Sequence, residues 1–274
     1  MKKDIATVKQ YYESGVETEW ERLNTHRAEF EITCSYLDRF IKPGDTVLDV
    51  GGGPGRYSLY LASKGCDVTL LDLSRGNVDF ALEKAKAAGL KITGICGDAR
   101  YADKIITNTF DHVLIMGPLY HLIEVKDRER AVSACLKLLK DDGILYASFI
   151  SSFAGVIYYL KEGTDIKQIP ENELEYMYNA AEGRDYAGQA FTLAYFAKME
   201  DIVPFFDRFG LTRLHFFGQE GIIAPCEDKV YSQSEEAVKE WIEISKLLCE
   251  NPNYMSYSEH FMYIGKKEKS KCIT

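Results

Sequence analysis

The stretch from Val47 to Ala62 constrains the fold of this chain more than any other part of the sequence. An apolar run, Thr46 to Val50, is followed by three glycines, Pro54 and Gly55, and a helical pattern then begins. A strand, a tight glycine turn and a helix form the unit with which α/β proteins bind nucleotide-like ligands. Glycines let a ligand approach the backbone, and the helix N-terminus offers free N–H groups. The sequence therefore predicts an α/β domain with a ligand site at this turn.

The spacing of the glycines separates two classes of cofactor. In a dinucleotide pattern, G-x-G-x-x-G, that starts at Gly51, the third glycine would fall on Arg56. The chain instead has glycines at 51, 53 and 55, with Gly52 as an extra and Asp49 two residues before the first. This D-x-G-x-G-x-G pattern resembles the first motif of class I methyltransferases that depend on S-adenosylmethionine (SAM). A turn that binds no ligand is the alternative interpretation of this motif taken alone.

Segments typical of strands and helices alternate from Thr46 to about Ile150. The strand-like segments are rich in Val, Leu and Ile and cover 47–50, 68–72, 92–98, 111–116 and 144–150. Helical patterns lie between them at 57–64, 75–88 and 127–140. This alternation predicts a parallel sheet with right-handed crossovers and helices on both faces. The resemblance implies a doubly wound α/β fold, with a seven-stranded, mostly parallel Rossmann-like sheet and an antiparallel last strand.

The chain divides into four parts with separate expected tasks. In order, they are a helical segment over the cofactor site at 1–42, the SAM-binding core at 43–150, an inserted helical substrate lid at 151–198, and the C-terminal part of the sheet at 199–274. The lid is expected because the segment is too long for a plain loop. The last part is expected to supply strands at 211–218 and 260–266, with a helical insertion at 225–257 between them.

Three acids follow three successive strands of the predicted sheet. Asp49, Asp72 and Asp98 lie at the edge where the carboxyl ends of parallel strands meet. An acid at the position of Asp72 can bind ribose hydroxyls, unless it caps the next helix, a task that Ser74 could perform instead. The resemblance implies that Asp49 organises the glycine turn and faces the methionine part of SAM. It also implies that Asp98 and the backbone of Ala99 bind the adenine.

The fourth strand runs into Met116-Gly-Pro-Leu-Tyr-His121, where the resemblance places methyl transfer. Methyltransferases of nucleobase amines carry [DN]-P-P-[FY] here, and the G-P-L-Y of this chain therefore disfavours exocyclic amines of DNA as acceptors. Over about residues 40–150 the chain is similar to bacterial small-molecule methyltransferases of the ubiquinone-synthesis and tellurite-resistance-like group. A hydroxyl or thiol acceptor must lose a proton, and His121, beside Tyr120, is the candidate base. Packing at a turn is the alternative role of His121, and the acceptor atom, O, N or S, stays open.

Two segments outside the core supply further candidate contacts. In the N-terminal segment, Arg22 is expected to reach the SAM carboxylate and Tyr11 the substrate, unless this is simply a docked helix with surface ion pairs. The Tyr and Phe residues of the insert are expected to line a pocket for an aromatic or lipophilic acceptor, or to form a core of their own. The candidate cofactor-binding residues are Tyr11, Arg22, Asp49, Gly51, Gly52, Gly53, Gly55, Asp72, Leu73, Ser74, Asp98, Ala99, Met116 and Gly117, and the candidate catalytic residues are Tyr120 and His121.

The composition restricts the partners and the compartment. A formal net charge of −9 argues against nucleic acid, because nucleic-acid binders usually carry a basic footprint. Seven cysteines occur without a C-x-x-C pair and without metal-ligand spacing, so neither a disulfide framework nor a metal site is expected. Neither a secretory signal nor a membrane span is expected. We therefore expect a cytoplasmic monomer or homodimer that methylates a small molecule, with SAM as cofactor and S-adenosylhomocysteine (SAH) as product.

Three other functions stay open from the sequence. An NAD-dependent oxidoreductase could use a similar sheet, although Arg56 stands where its pattern needs a glycine. A regulator that binds SAM without catalysis would keep the same cofactor residues. Methyl transfer to RNA or protein is the third, and the acidic composition disfavours it.

Overall fold

The computed structural model describes residues 2–269, and three helices precede its sheet. They are α1 (Lys2–Ser14), α2 (Val16–Thr25) and α3 (Arg27–Phe40). Ile32 and Tyr36, one helical turn apart on α3, are almost fully buried against one face of the sheet. Met1 and residues 270–274, which belong to the first and last predicted parts, lie outside the described residues.

Five strands alternate with helices in the core. In chain order the elements are β1 (Thr46–Val50), α4 (Arg56–Ser63), β2 (Asp67–Asp72), α5 (Arg75–Ala87), β3 (Thr93–Cys96), α6 (Ala102–Ile105), β4 (Phe110–Ile115), α7 (Pro118–His121), α8 (Val125–Leu138) and β5 (Leu139–Ser151). The predicted α/β alternation is confirmed. Strand β5 begins earlier than the predicted strand 144–150, because the chain becomes extended directly after α8 and Leu139 already pairs with Phe110.

The insert combines helices with a hairpin, and the C-terminal part returns to the sheet. The elements of the insert are α9 (Ala154–Lys161), α10 (Glu171–Ala181), β6 (Tyr186–Gln189) and β7 (Leu193–Ala197). The C-terminal elements are α11 (Met199–Asp207), β8 (Leu211–Gly218), α12 (Glu227–Tyr231), α13 (Glu235–Leu248) and β9 (His260–Lys267). The insert was predicted to be helical. Its second half instead forms two strands, because β7 pairs with the end of β5.

One sheet contains all nine of these strands. Its order is β3-β2-β1-β4-β5-β7-β6, and β9 pairs antiparallel with both β5 and β8. Strands β1 to β5, β8 and β9 form the predicted seven-stranded sheet with its antiparallel last strand, and the hairpin β6–β7 adds two strands. After β3 the chain returns to place β4 beside β1. The order of the strands therefore reverses between β1 and β4, which opens a crevice at their carboxyl ends.

Successive residues of a strand face opposite layers of the molecule. In β1, Val47 packs in the layer of α3, α4 and α5, whereas Leu48 packs in the layer of α8. Because both faces of the sheet are covered, its central strands carry buried apolar side chains on both faces. Among the described residues, none of the helices combines the length and the apolar character that crossing a bilayer requires.

Candidate active site

A cleft lies at the carboxyl ends of β1 to β4, where the order of the strands reverses. It encloses about 1130 Å³ when the space in its open mouth is included. Its walls come from α1 and α2, the glycine turn after β1, the ends of β2 and β3, and the segment after β4. Segments that are far apart in the sequence therefore meet around one cleft.

The glycine turn forms the floor of this cleft. Gly51 and Gly53 have φ angles of +70° and +55°, which residues with side chains rarely adopt. A Cβ on Gly51 would lie 2.4 Å from Cδ of Pro118, so only a glycine lets the turn approach the segment after β4. A Cβ on Gly53 would find one atom within 4 Å, Cγ of Glu19 at 4.0 Å. The backbone at Gly53 is therefore open to a ligand.

Asp49 is buried directly beneath the glycine turn. Its side chain accepts a hydrogen bond from the Ser58 hydroxyl at 2.7 Å. Burial raises the pKa of Asp49 to about 6; the Ser58 hydrogen bond opposes that rise and the charge of Asp72 adds to it. A cation bound in the cleft would favour the ionised form of Asp49 and lower this pKa.

Asp72, at the end of β2, ties the glycine turn to the start of α5. Its Oδ2 accepts from the Gly53 N–H at 2.9 Å, and its Oδ1 accepts from the Ser74 N–H at 2.8 Å and the Asn77 amide at 3.2 Å. The cap of α5 is Ser74, whose hydroxyl accepts from the Asn77 N–H. Burial raises the pKa of Asp72, and the three hydrogen bonds oppose that rise. Since a carboxylate has about four acceptor positions, Asp72 keeps about one for a ligand hydroxyl.

Asp98 follows β3 and is engaged by its own neighbour. Its Oδ1 accepts from the Arg100 backbone N–H at 2.9 Å and from Arg100 Nε at 3.1 Å, and its Oδ2 accepts from Arg100 Nη2 at 2.6 Å. Arg100 also donates to Asp127 at 2.7 Å. The Asp98 carboxylate lines the cleft, but an adenine amino group would have to share it with this guanidinium.

Arg22 is the basic group that α2 contributes to the cleft. Its Nε donates to Glu19 at 2.9 Å, and its Nη1 donates to Glu29 of α3 at 2.6 Å. Burial alone would raise the pKa of Glu29, but Arg22 and then His260 lower it to about 2. Arg22 and both glutamates line the cleft. These ion pairs therefore belong to the site, unlike the surface pairs of a simply docked helix.

Tyr120 and His121 lie on α7 and line the cleft beside α1. His121 Nε2 is 2.6 Å from the hydroxyl oxygen of Tyr12, and Nδ1 is 3.1 Å from the carbonyl oxygen of Leu193. A carbonyl oxygen only accepts, so Nδ1 carries the proton and Nε2 accepts from the Tyr12 hydroxyl. Burial lowers the pKa of His121 to about 4. The imidazole is therefore neutral at pH 7, with its basic nitrogen turned toward Tyr12.

Comparison with known proteins identifies the core of this chain. Residues 47–143, which contain the glycine turn, Asp72 and Asp98, match the sequence family described as a methyltransferase domain. Over these residues the chain carries a methyltransferase domain. The domain spans the sheet from β1 into β5, and so it includes four of the strand ends that border the cleft.

Two relatives show how far the likeness extends along the methyltransferase. The glycine/sarcosine N-methyltransferase of Parasynechococcus marenigrum (strain WH8102) is 27% identical over 205 residues, which are 68% of this chain and 72% of that protein. The ubiquinone biosynthesis O-methyltransferase of Coxiella burnetii (strain Dugway 5J108-111) is 35% identical over 129 residues, 46% of this chain and 53% of that protein. The match thus spans about half the length of the second relative.

Solved structures of methyltransferases share the fold. The magnesium protoporphyrin IX methyltransferase of Synechocystis PCC 6803 with bound SAH has a TM-score of 0.58 at 17% identity, over 97% of this chain and all of that one. The 1,6-didemethyltoxoflavin-N1-methyltransferase of Burkholderia thailandensis has a TM-score of 0.59 at 15% identity, over 96% of this chain and 88% of that one. The likeness shows the Rossmann-like methyltransferase fold.

Most of the predicted site residues of the methyltransferase line one cleft. They are Arg22, Asp49, Gly51, Gly52, Gly53, Asp72, Leu73, Ser74, Asp98, Ala99, Met116, Gly117, Tyr120 and His121. Gly55 is not among the lining residues, because it faces α5, where an added Cβ would lie 2.8 Å from Cβ of Ala81. Tyr11 does not line the cleft either: it is 42% exposed and its ring packs against that of Phe191.

Sequence reasoning assigned no role to two residues that the structure places at the site, Tyr12 and Glu29. Tyr12 takes the position expected for Tyr11, because α1 turns Val8 and Tyr12, one helical turn apart, toward the cleft. The apolar Val8, one helical turn before Tyr12, was the signal in the sequence that could have predicted which side of α1 faces inward. Glu29 offers no such signal, since its partner Arg22 belongs to another helix.

His260 lies behind Glu29 at the start of β9. Its Nδ1 is 2.6 Å from Glu220 and 4.0 Å from Glu29. Burial opposes the protonated form of His260, but Glu220 and then Glu29 raise its pKa. These three side chains offer possible metal ligands within 4.8 Å of one another, yet Arg22 already occupies Glu29. The group is therefore a row of basic and acidic side chains that supports the wall of the cleft, in the order Arg22, Glu29, His260 and Glu220.

Proposed function

We propose that this chain transfers the methyl group of SAM to a small-molecule acceptor and releases SAH. The observation that carries the proposal is the cleft at the reversal of the strand order. Its lining brings together the glycine turn with Asp49, Asp72, Asp98, Tyr120 and His121. The names of the two relatives support it, because one describes an N-methyltransferase of glycine and sarcosine and the other an O-methyltransferase of ubiquinone synthesis. Both names indicate acceptors that are small molecules.

The lining residues fit the chemistry of SAM. Asp72 would bind a ribose hydroxyl, and the Ala99 backbone with a shared Asp98 would bind the adenine. Arg22 would bind the methionine carboxylate, since it is the basic group that α2 contributes to the cleft. The buried carboxylate of Asp49 would favour the positive sulfonium. Leu73, Ser74, Met116 and Gly117 would complete the contacts with the cofactor.

The protein's part in the reaction is to align the reactants and to accept a proton. Bound SAM would supply an electrophilic methyl group for in-line transfer to an acceptor atom, with the sulfide as leaving group. When two reactants are held in line, they can react as fast as if one were present at an effective concentration of about 10⁵–10⁸ M. His121 is neutral at pH 7, so its basic nitrogen can accept a proton.

We extend the proposal to the parts of the chain. The N-terminal helices within 1–42 would cover the cofactor, 43–150 would bind it, and the insert 151–198 would select the acceptor, while the last part completes the sheet. The acidic protein would act without nucleic acid or membrane as a partner, as a monomer or homodimer. The six described cysteines form no disulfide, which supports a reducing compartment such as the cytoplasm; the seventh, Cys272, lies outside the described residues.

Thermal unfolding with SAM, SAH and NAD tests the cofactor. We expect SAM and SAH at about 100 times their Kd to raise the free energy of unfolding by about 2.7 kcal/mol, and NAD to leave it unchanged. Stabilisation by NAD alone would contradict the proposal and favour an oxidoreductase.

Incubation of metabolite extracts with methyl-labelled SAM tests catalysis. We expect label to appear in small molecules and not in RNA or protein. A protein that binds SAM but labels no metabolite would be a SAM-binding regulator, and label confined to RNA or protein would reject the small-molecule acceptor.

A further inference from the structure

The direction of the hydrogen bonds around His121 decides how an acceptor's proton can leave. We propose that Tyr12 is a catalytic residue: its hydroxyl oxygen takes the proton of a hydroxyl or thiol acceptor while its own proton passes to Nε2 of His121. This inference rests on the proposed methyl transfer and assigns both a residue and an acceptor class to it.

The geometry places Tyr12 between the cleft and the base. Tyr12 and His121 both line the cleft, but the basic Nε2 of His121 already has the Tyr12 hydroxyl at 2.6 Å. The hydrogen of that hydroxyl is committed to Nε2, so the lone pairs of the oxygen are what Tyr12 can offer to another molecule. An acceptor group X–H in the cleft can therefore donate to Tyr12, whereas direct access to Nε2 is blocked.

The insert holds the imidazole in the tautomer that this step needs. The Leu193 carbonyl, on β7, accepts from Nδ1 of His121 at 3.1 Å. The rings of Tyr12 and Phe191 pack against the imidazole with centroids 5.2 and 6.1 Å away. One row of hydrogen bonds thus joins α1, α7 and the insert. It leaves Nε2 of His121 unprotonated and holds the Tyr12 hydroxyl against it.

The step balances in atoms and charge. The acceptor atom X forms a bond to the methyl carbon as the bond from carbon to sulfur breaks, and that electron pair stays on sulfur as SAH forms. The proton on X moves to the Tyr12 oxygen, and the Tyr12 proton moves to Nε2 of His121. The positive charge of the sulfonium ends on the imidazolium, which then releases its proton to water. The buried site therefore carries the same net charge before and after transfer.

The same geometry selects the class of acceptor. A methylated hydroxyl or thiol that still holds its proton is a strong acid, so a weak base behind Tyr12 is sufficient to remove it. An alkylammonium, with a pKa near about 10 as for a lysine side chain, would keep its proton against an imidazole whose pKa burial lowers to about 4. The relay therefore fits O- or S-methylation and gives no advantage to an amine.

Tyr12→Phe tests the relay, because it removes one oxygen and keeps the ring. The probes are methyl-labelled SAM with catechol, glycerol, dithiothreitol and sarcosine, and Tyr257→Phe, at an exposed position outside the cleft, is the matched control. We expect wild type to label a hydroxyl or thiol probe and Tyr12→Phe to lower kcat about 10²-fold or more, as for loss of general base catalysis. The Kd of SAM, measured by calorimetry, should stay unchanged, and the solvent deuterium isotope effect on kcat should shrink.

Each outcome decides between the two proposals. Three results would overturn the relay: wild-type turnover in Tyr12→Phe, label in sarcosine alone, or no label in the hydroxyl and thiol probes. If the protein still binds SAM in these experiments, the proposed cofactor is retained. Failure of the wild type to bind SAM would overturn the proposed function itself. As a measurement that needs no acceptor, nitrogen NMR of ¹⁵N-histidine protein should show His121 protonated at Nδ1 at pH 7. Protonation at Nε2 would overturn the relay.

Discussion

Asp49 and Asp72 end neighbouring strands, yet their surroundings give them different tasks. Asp72 accepts three hydrogen bonds from the protein and so fixes the turn and the start of α5. Asp49 accepts one from Ser58, and burial raises its pKa to about 6. One acid thus shapes the site, whereas the other loses its charge between about pH 7 and 5, a range in which a bound cation would keep it ionised.

Asp72→Asn is expected to weaken SAM binding with the fold intact. The change removes the negative charge and turns one acceptor oxygen into an N–H donor. That donor cannot accept a hydrogen bond from the Gly53 N–H or from a ribose hydroxyl. Loss of a hydrogen bond to a charged group costs about 1.5–3 kcal/mol, so the Kd from calorimetry should rise about tenfold or more. Asp67→Asn, at the exposed start of the same strand, is the control, and an unchanged Kd in Asp72→Asn would refute the ribose assignment.

The affinity for SAM is expected to depend on pH through Asp49. Its pKa is about 6 in the free protein, and a bound sulfonium would lower it, so binding releases a proton below pH 6. The Kd should therefore rise as the pH falls from 7 to 5 and stay level above about 7. Asp49→Asn should bind more weakly at pH 7 and lose this dependence. Calorimetry in two buffers measures both, and a wild-type Kd that is constant from pH 5 to 7 would contradict the role of Asp49.

At the scale of elements, the site depends on two turns that come into close contact. The turn after β1 and the start of α7 approach so closely that a Cβ on Gly117 would lie 2.8 Å from the Gly51 carbonyl oxygen. Both turns border the cleft. The absence of side chains at these two positions therefore sets the distance between the cofactor floor and the proposed transfer residues.

Gly51→Ala should separate these turns. The new Cβ would meet Pro118 Cδ at 2.4 Å, and φ of +70° adds a strain of about 1–2 kcal/mol. Gly89→Ala is the matched control, because its φ is +68° and an added Cβ meets no atom within 4 Å. We expect both variants to lose stability in denaturant unfolding, but only Gly51→Ala to bind SAM at least tenfold more weakly. Equal Kd values would show that the close approach is not needed.

The sequence predicted the helices but not which side of α1 faces the cleft. The strands and helices of the core followed from alternation of apolar runs, and the three acids followed from their positions after strands. The exchange of Tyr11 for Tyr12 needed the rotation of α1, which depends on packing and not on spacing alone. The bonds of Asp98 to Arg100 were equally hidden, because a nearby cation two residues away can point in several directions.

At the scale of the molecule, a row of ionisable side chains joins the N-terminal helices to β9, which lies between β5 and β8. Arg22 on α2, Glu29 on α3 and His260 on β9 form a row that ends at Glu220. Their sequence separations give no hint of this contact, so only the assembled fold brings them together. The nine-stranded sheet is a similar case, since the pairing of β7 with β5 depends on how the insert folds back.

Glu29→Gln should destabilise the whole molecule. Arg22 and His260 would each lose a charged partner, and loss of one such hydrogen bond costs about 1.5–3 kcal/mol. Because Arg22 and His260 lower the pKa of Glu29 to about 2, its contribution is full above about pH 4.5 and declines as the pH falls toward 2. Glu31→Gln, which breaks the surface pair with Arg27, should cost about 0–1 kcal/mol. Urea unfolding at pH 7 compares them, and equal losses would contradict the buried row.

A crystal structure of the complex with SAH tests the central claim most directly. We predict SAH in the cleft over the glycine turn, with its ribose at Asp72 and its sulfur facing Tyr12 and His121. An empty cleft at saturating SAH, or SAH bound elsewhere on the protein, would contradict the account.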